Sequence, residues 1–391
     1  MPVSELGCLG VLNGGGSKDS PVAEPVFCSL LCRAAPKYGL RVILFTPDGV
    51  SEDGRTVSGF IRSGQEWRAA TSAAPDIVYN RMFCRSPEER RSTSRALNAL
   101  TGSLAWSRGL PDKWKVYEIL QRNRRASALL PETKRYDGSR SLEHMLAERE
   151  DGVFLKPRAG THGRRTLHAA PCAASPGGLL VRGRDGQNRE IIRGFEERRR
   201  GLEWIDRFIG GQGFIMQPFL QLSGSGGQPF DLRVLMQKDG GGRWTLAGMA
   251  VRLGLRGSLT SNLHGGGTAV HPSSFLRKQY GGAAEEILRE LTLAAAYLPP
   301  LLEAGCGRLG ELGLDFGIDP GGRIWLLEAN SKPGRSAFTL TGDQDAARRS
   351  AENPLSYARY LLLTRRRPLR TAAGGYGLSG KLISMVPKED S

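Results

Sequence analysis

The chain has 391 residues, an apolar fraction of 39% and a formal charge of +16 from 55 Lys and Arg against 39 Asp and Glu. That length gives room for two or three lobes of a soluble globular protein, and its apolar runs all fall far short of the roughly 20 residues of a membrane-spanning helix. A clustered basic balance would signal nucleic acid, but 44 of the basic residues are Arg spread along the whole chain, with no aromatic-basic stripe and no reading helix, so the expected partners are small anions such as nucleotide phosphates.

The N-terminal stretch MPVSELGCLGVLNGGG lacks a basic n-region and a long apolar h-region, which makes the cytoplasm the expected location. It supplies a short strand, GCLGVL, running into Asn13-Gly14-Gly15-Gly16. A helical pattern follows from Pro25 to Tyr38, then a strand from Leu40 to Phe45, so the chain opens as a βαβ unit. No GxGxxG fingerprint accompanies the glycine run. Cys28 and Cys32, one helical turn apart, read as a buried face, and six cysteines without a CxxC pair do not make a disulfide scaffold. Pro75 to Arg81 is a further strand. In an open α/β sheet its carboxyl end faces the ligand crevice, which puts Asn80 and Arg81 on the substrate side.

Asp112 caps a helix beginning at Lys113, with Trp114, Tyr117 and Leu120 at core spacing. Lys113 opposes the helix dipole unless an anion sits beside it, so it reads as a phosphate contact or a solvated lysine. Val153-Phe154-Leu155-Lys156 is a strand ending in lysine before Pro157-Arg158-Ala159-Gly160-Thr161-His162-Gly163-Arg164-Arg165. A terminal cation ahead of a small-residue loop presents a point charge and free amides to an oligophosphate. The order is not that of a Walker A loop. Gly194 to Phe208 reads as a charged helix, Phe214 to Leu220 as a strand whose Pro218 suggests an edge or hinge. Phe230–Met236 and Trp244–Leu253 pair across Lys238 to Gly242. Arg233 and Arg252 lie in apolar surroundings where a bare guanidinium is costly, so each needs a carboxylate or a bound phosphate. A small-residue loop, Ser261 to Thr268, and a helix from Ala283 to Leu302 follow. After Tyr357 the apolar signal thins and a partly disordered basic tail is expected.

The stretch from Gly310 to Pro333, GELGLDFGIDPGGRIWLLEANSKP, organises the rest. It predicts two strands, 312–318 and 323–329, joined by Asp319-Pro320-Gly321-Gly322. Alternation puts Glu328 and Asn330 on one face, with Trp325, Leu327 and Ala329 on the other. A four-residue turn without a bulge sets Asp315 opposite Leu326 and diagonal to Glu328, at roughly 7–8 Å. Two carboxylates and an amide at that separation are oxygen ligands of the kind Mg²⁺ takes, with nucleotide phosphates completing its octahedron. The alternative is plain ion pairing of Asp315 and Glu328 with Arg233 or Arg252. Convergence of three oxygens beside the cationic loop Ser331-Lys332-Pro333-Gly334-Arg335 favours the metal.

In this order, DKW, FLKPRAGTHG, FIMQPFL, FDLRVLMQ, SNLHGGGT and LGLDFGID followed by LLEANSKPG resemble the ATP-grasp superfamily. The likeness is to its YheC/YheD endospore coat-associated family, with a central part similar to ribosomal-protein glutamate ligases. It covers residues 106 to 340, and PDIVYNR extends it to the N-terminal region. The resemblance implies an α/β and α+β architecture: two α+β subdomains gripping ATP, preceded by a small α/β domain. The corresponding divisions are 1–105, 106–215 with the phosphate loop, 216–360 with the Mg²⁺ site, and a tail from 361 to 391. It further implies that Lys113 and Lys156 contact the α- and β-phosphates, and that Gly160, Thr161, His162 and Gly163 form a closing loop. Gln217 to Leu220, with Phe219 between them, would be the adenine-binding hinge. Asp315, Glu328 and Asn330 would hold two Mg²⁺, or Mn²⁺ in their place. Arg233, Arg252 and Asn262 would hold the γ-phosphate and an acyl phosphate. Arg164-Arg165 stands where relatives often have another glycine, and Pro218 where the hinge is often acidic.

The function expected from the resemblance is an ATP-dependent carboxylate–amine ligase acting on small-molecule or peptide substrates, with spore coat components as further partners. Positioning and charge stabilisation would do the catalysis, so no protein nucleophile is required. The alternative is a non-catalytic nucleotide-binding or structural spore-coat protein that retains the fold.

Overall fold

The computed structural model describes residues 4–17, 20–84, 86–160, 163–259, 261 and 267–366. Three sheets carry the architecture. The N-terminal sheet is built on parallel strands, Leu40–Phe45 beside Gly7–Leu12 beside Ile77–Asn80 beside Leu104–Ala105, with the antiparallel hairpin Thr56–Ser63 and Glu66–Ala73 added at one edge. The βαβ expectation holds there, the helix Pro25–Ala34 continuing as a 3₁₀ turn to Tyr38. The middle sheet is antiparallel throughout, in the order Glu190–Phe195, Leu179–Arg184, Leu167–Pro171, Val153–Pro157, Phe214–Pro218, Lys134–Arg135. The C-terminal sheet, also antiparallel, runs Thr268–Val270, Trp244–Leu253, Phe230–Lys238, Glu311–Ile318, Ile324–Asn330.

Each sheet buries a separate apolar cluster. Helix Ala284–Cys306 lays Ile287, Leu291, Leu298 and Leu302 against Leu232, Val234, Leu312, Leu314 and Phe316 of the C-terminal sheet. Helices Ser139–Ala147 and Arg198–Ile209 cover the middle sheet. The second of these starts four residues later than the pattern suggested, because Glu190–Phe195 is a strand, and it is not a free surface helix: Leu202, Ile205 and Ile209 are buried. In helix Lys113–Gln121 the buried residues are Val116 and Leu120, while Trp114 and Tyr117 pack on each other at the surface side, 5.5 Å between ring centroids.

The thinning of the apolar signal after Tyr357 does not mark the end of the folded chain. Helix Gln344–Arg366 continues through it, and Leu355, Tyr357, Ala358, Leu361 and Leu362 pack into the core of the N-terminal sheet. An amphipathic helix needs apolar residues on one stripe only, so its average hydropathy says little about burial. Residues 367–391, the rest of the expected tail, lie outside the described residues.

The central hairpin forms with a different register from the one expected. Asp319 accepts the backbone N–H groups of Gly321 and Arg323, each at 3.0 Å, and Gly322 sits at φ +86°, which closes a loop one residue longer than the tetrad. Ile318 therefore faces Ile324, and between Phe316↔Leu326 and Asp315↔Glu328 a bulge leaves Leu327 as the extra residue. The bulge places Asp315 directly opposite Glu328 instead of diagonal to it. It also turns Leu327 into the cleft while Leu326 and Ala329 pack toward the core.

Candidate functional site

The middle and C-terminal sheets enclose a cavity of about 300 Å³ between them. Lys156 enters it from the end of strand Val153–Pro157, and its Nζ donates to the carbonyl of the bulged Leu327 at 2.9 Å. Burial pushes the Lys156 ammonium down to about 8, against the raising influence of Glu328. Lys113 stands in the first turn of its helix, capped by Asp112, whose Oδ1 accepts the N–H of Lys115 at 3.0 Å. Its Nζ donates to Gly160 O at 2.8 Å and pairs with Glu328 Oε1 at 3.2 Å. The anion that the helix start required is thus a carboxylate of the C-terminal sheet. Arg158 ties the same region together, donating to Asp112 Oδ2 at 2.7 Å and accepting Lys113 N–H at its carbonyl.

Across the cavity, Asp315 accepts from Arg233 Nε at 2.5 Å and Nη2 at 3.0 Å, and pairs with Arg252 Nη2 at 3.1 Å. Arg252 also makes two bonds of 2.6 Å to Asp231, whose second oxygen takes the Ser261 hydroxyl at 2.5 Å. Burial raises the Asp315 carboxyl, but the two guanidinium groups outweigh it and hold it below the ordinary carboxylate range. Both arginines are therefore neutralised by carboxylates, one of them a residue that sequence reasoning missed. The signal was present: Asp231 and Arg233 share one strand face, and the strand pairing puts Asp231 opposite Arg252 and Arg233 opposite Asp315. Asn330 completes the wall, its amide donating to Asp315 Oδ2 at 3.4 Å.

Gln217, Phe219 and Leu220 line the cavity. Two of their polar groups are already engaged. The Gln217 amide donates to Thr133 Oγ1 at 2.9 Å, and Phe219 N–H donates to Gly152 O at 3.1 Å. The Phe219 ring stacks on His168 at 3.8 Å. Pro218, which lacks a backbone N–H, lines the cavity beside them. Gly160 and Gly163 line the cavity too, whereas Thr161, His162 and Asn262 lie outside the described residues. Of the two arginines after the loop, Arg164 faces the cleft and Arg165, at φ +56°, anchors the segment to the carbonyls of Phe208 and Ile209.

A family model described as YheC/D like ATP-grasp matches residues 104–361. The chain belongs to the YheC/D-like ATP-grasp family. It is 28% identical over 320 residues to the endospore coat-associated protein YheC of Bacillus subtilis (strain 168), covering 81% of this chain and 86% of that one. With YheD of the same organism it shares 25% identity over 342 residues, 86% of this chain and 74% of the other. Among solved structures, D-cycloserine synthetase DcsG superposes with a TM-score of 0.52 at 13% identity, over 90% of this chain and 100% of that one. The VanG D-Ala:D-Ser ligase of Enterococcus faecalis gives 0.50 at 12% identity, over 92% and 100%. The fold is that of ATP-grasp proteins.

In this YheC/D-like chain the N-terminal sheet is bolted to the ATP-grasp part by a buried ionic network. Glu311, fully enclosed, accepts from Tyr79 Oη at 2.5 Å, Arg81 Nη1 at 2.8 Å, Arg335 Nη2 at 2.5 Å and Gln237 Nε2 at 3.0 Å. Arg81 also holds Glu24 through bonds of 2.9 and 2.6 Å. Arg81 is thus a strut between sheets and not the substrate contact that its place at a strand end suggested. Asn80 turns back on its own chain, accepting Met82 N–H at 2.9 Å. Likewise Asn13 donates to Ala23 O at 3.3 Å, and the glycine run after it forms a small hairpin, Gly15–Ser17 with Ser20–Val22.

Among the described residues no three acidic, His or Cys side chains cluster as a metal site, and no helix is long and apolar enough to cross a membrane. Two facing carboxylates and an amide oxygen are nevertheless a hard-oxygen donor set of the kind that Mg²⁺ shares with phosphates.

Proposed function

We propose that this chain is an ATP-dependent ligase that joins a carboxylate to an amine through an acyl phosphate. The observation that carries the reading is the composition of one cavity: Lys113, Lys156, Arg233 and Arg252 line it together with Asp315, Glu328 and Asn330. Cations suited to an oligophosphate thus stand beside oxygens suited to the ion that accompanies it. Asp315, Glu328 and Asn330 would hold Mg²⁺, which when bound shields phosphate charge and polarises the transferring phosphoryl group.

The chain's own residues position and neutralise. Lys156 and Lys113 would grip the inner phosphates. Arg252 keeps two hydrogen bonds to Asp231 if its contact with Asp315 is given up, so it can turn to a phosphoryl oxygen without becoming a bare buried charge. Leu327 and Phe154 supply apolar walls that exclude water from the transfer. A carboxylate oxygen of the first substrate bonds to the γ-phosphorus as the bond to ADP breaks. The amine nitrogen then attacks the acyl carbon, releasing phosphate and a proton and leaving an amide. No side-chain nucleophile takes part. The names of the Bacillus relatives support the further proposal that the protein works with the endospore coat, on small-molecule or peptide substrates made or modified there.

The test is trapping. ATP, Mg²⁺ and a pool of carboxylates are incubated with hydroxylamine in place of the amine. The proposal predicts a hydroxamate formed one for one with ADP. Nucleotide binding without hydroxamate on a broad pool overturns the ligase and leaves a non-catalytic nucleotide-binding coat protein.

A further inference from the structure

The shielded cations that line the cavity outnumber its carboxylates. Lys113, Lys156, Arg233, Arg252 and Lys332 face it, against Asp231, Asp315 and Glu328. Four of those five cations are accounted for: three have a carboxylate partner, and Lys156 stands where phosphate is expected. Lys332 is left over. Among the described residues its hydrogen bond is to one neutral group, the carbonyl of Met82 at 2.6 Å. An ammonium has three N–H donors, so two remain for the cavity.

The position of Lys332 is fixed from several sides. The next residue, Pro333, lies over Gly313, where an added Cβ would come within 2.7 Å of the proline Cβ. Its carbonyl accepts from Arg81 Nη2 at 3.1 Å and Arg335 Nη1 at 3.3 Å, while Arg233 Nη1 reaches Gly334 O at 3.5 Å. The loop is therefore pinned to the N-terminal sheet on one side and to the strand that bears Asp315 on the other. Phe83, one residue past the Met82 carbonyl, lines the same cavity. A cation with spare donors, held at the carbonyl that precedes an aromatic residue of the same cavity, forms a recognition surface and not a solvated edge.

We infer that Lys332 is a substrate-recognition residue that binds a carboxylate other than the one being activated, with Phe83 covering the adjoining carbon chain. This rests on the ligase reading above and narrows it. MgATP with two metal ions carries no net charge, so the nucleotide does not use up the cation excess, and a substrate carboxylate does. That group belongs either to the acyl donor, which is then a dicarboxylate, or to the amine, which is then an amino acid or peptide with a free C-terminus. A charge-assisted bond in a shielded site gives at least a tenfold preference for the anion over its amide, about 1.4 kcal/mol.

The experiment is calorimetric binding of two matched probe pairs: glutarate against its monoamide, and alanyl-alanine against its C-terminal amide. Wild type, Lys332→Met and Lys332→Arg are compared, each with and without AMP-PNP and Mg²⁺. The inference predicts a tenfold or greater preference for the acid in one pair, which names the source. That preference falls to about one in Lys332→Met and survives in Lys332→Arg, while AMP-PNP affinity stays within twofold in both. Equal preference in wild type and Lys332→Met overturns it, as does no preference in either pair. Thermal melting of the variants separates a lost contact from a lost fold, and Lys332→Arg provides the folded control. Failure of AMP-PNP to bind would count against the ligase reading alone, because the preference is also read without nucleotide.

Discussion

Two of the proposed metal-holding carboxylates differ in what else they do, and that difference is measurable without nucleotide. Asp315 and its partner Arg233 are about one-tenth exposed, and among the described residues Arg233 has no second carboxylate in its hydrogen bonds. Replacing Asp315 with Asn keeps the shape but leaves a buried guanidinium facing a neutral amide. Breaking a buried pair in this way costs about 3–5 kcal/mol. The lower end applies here, because the amide oxygen still accepts one bond and Arg252 retains Asp231. Among the described residues the salt bridge of Glu328 is to Lys113, at 3.2 Å and with both side chains partly open to solvent. Glu328→Gln therefore costs less than about 1 kcal/mol. With roughly 2–4 °C per kcal/mol for a cooperative unit of this size, Asp315→Asn melts about 6–12 °C below wild type and Glu328→Gln within about 4 °C of it. Differential scanning of the nucleotide-free proteins reads both. Equal melting of Asp315→Asn and wild type, or equal loss in the two variants, would refute the assignment of a structural role to Asp315 alone.

Lys156 provides a pH signature. Burial holds its ammonium near 8 in the free protein, so above that pH it is largely neutral, and a bound phosphate raises it again. ATP binding between about pH 8 and pH 10 must then take up a proton, and affinity must fall as pH rises through that window. Calorimetry in two buffers of different ionisation enthalpy measures the uptake, which Lys156→Arg should abolish. Glu311→Ala removes the acceptor of four charged or polar donors at full burial, and a loss of about 3–5 kcal/mol or failure to fold is expected from denaturant titration. A variant that unfolds at the wild-type midpoint would show the network to be dispensable.

The sequence made parts of this site legible because the constraints there are local. Strand alternation and the turn residues at 319–322 announced the hairpin, and a lysine closing an apolar strand ahead of a glycine loop announced Lys156. Register was not local. Asp319 closes its loop by accepting two backbone N–H groups, one more residue enters the turn, and the Leu327 bulge follows, with Lys156 bonded to its carbonyl. Asp231 is not legible in the sequence because its partner, Arg252, lies across a hairpin, and an acid next to Phe230 reads as an ordinary strand residue. Glu311 is further out of reach: it meets Arg81 from 230 positions away, a distance no periodicity spans. The helix Gln344–Arg366 is masked by its polar face, although Ala351, Leu355, Ala358 and Leu362 of its other face close the N-terminal core.

The central claim is that the cavity between the middle and C-terminal sheets is a metal-assisted ATP site. Isothermal titration of ATP into the wild type and Glu328→Gln, with and without Mg²⁺, tests it most directly. Binding that strengthens at least tenfold with Mg²⁺ in the wild type, and loses that Mg²⁺ dependence in a Glu328→Gln protein with unchanged melting, is the predicted result. ATP binding indifferent to both Mg²⁺ and Glu328, or no binding at all, would contradict it.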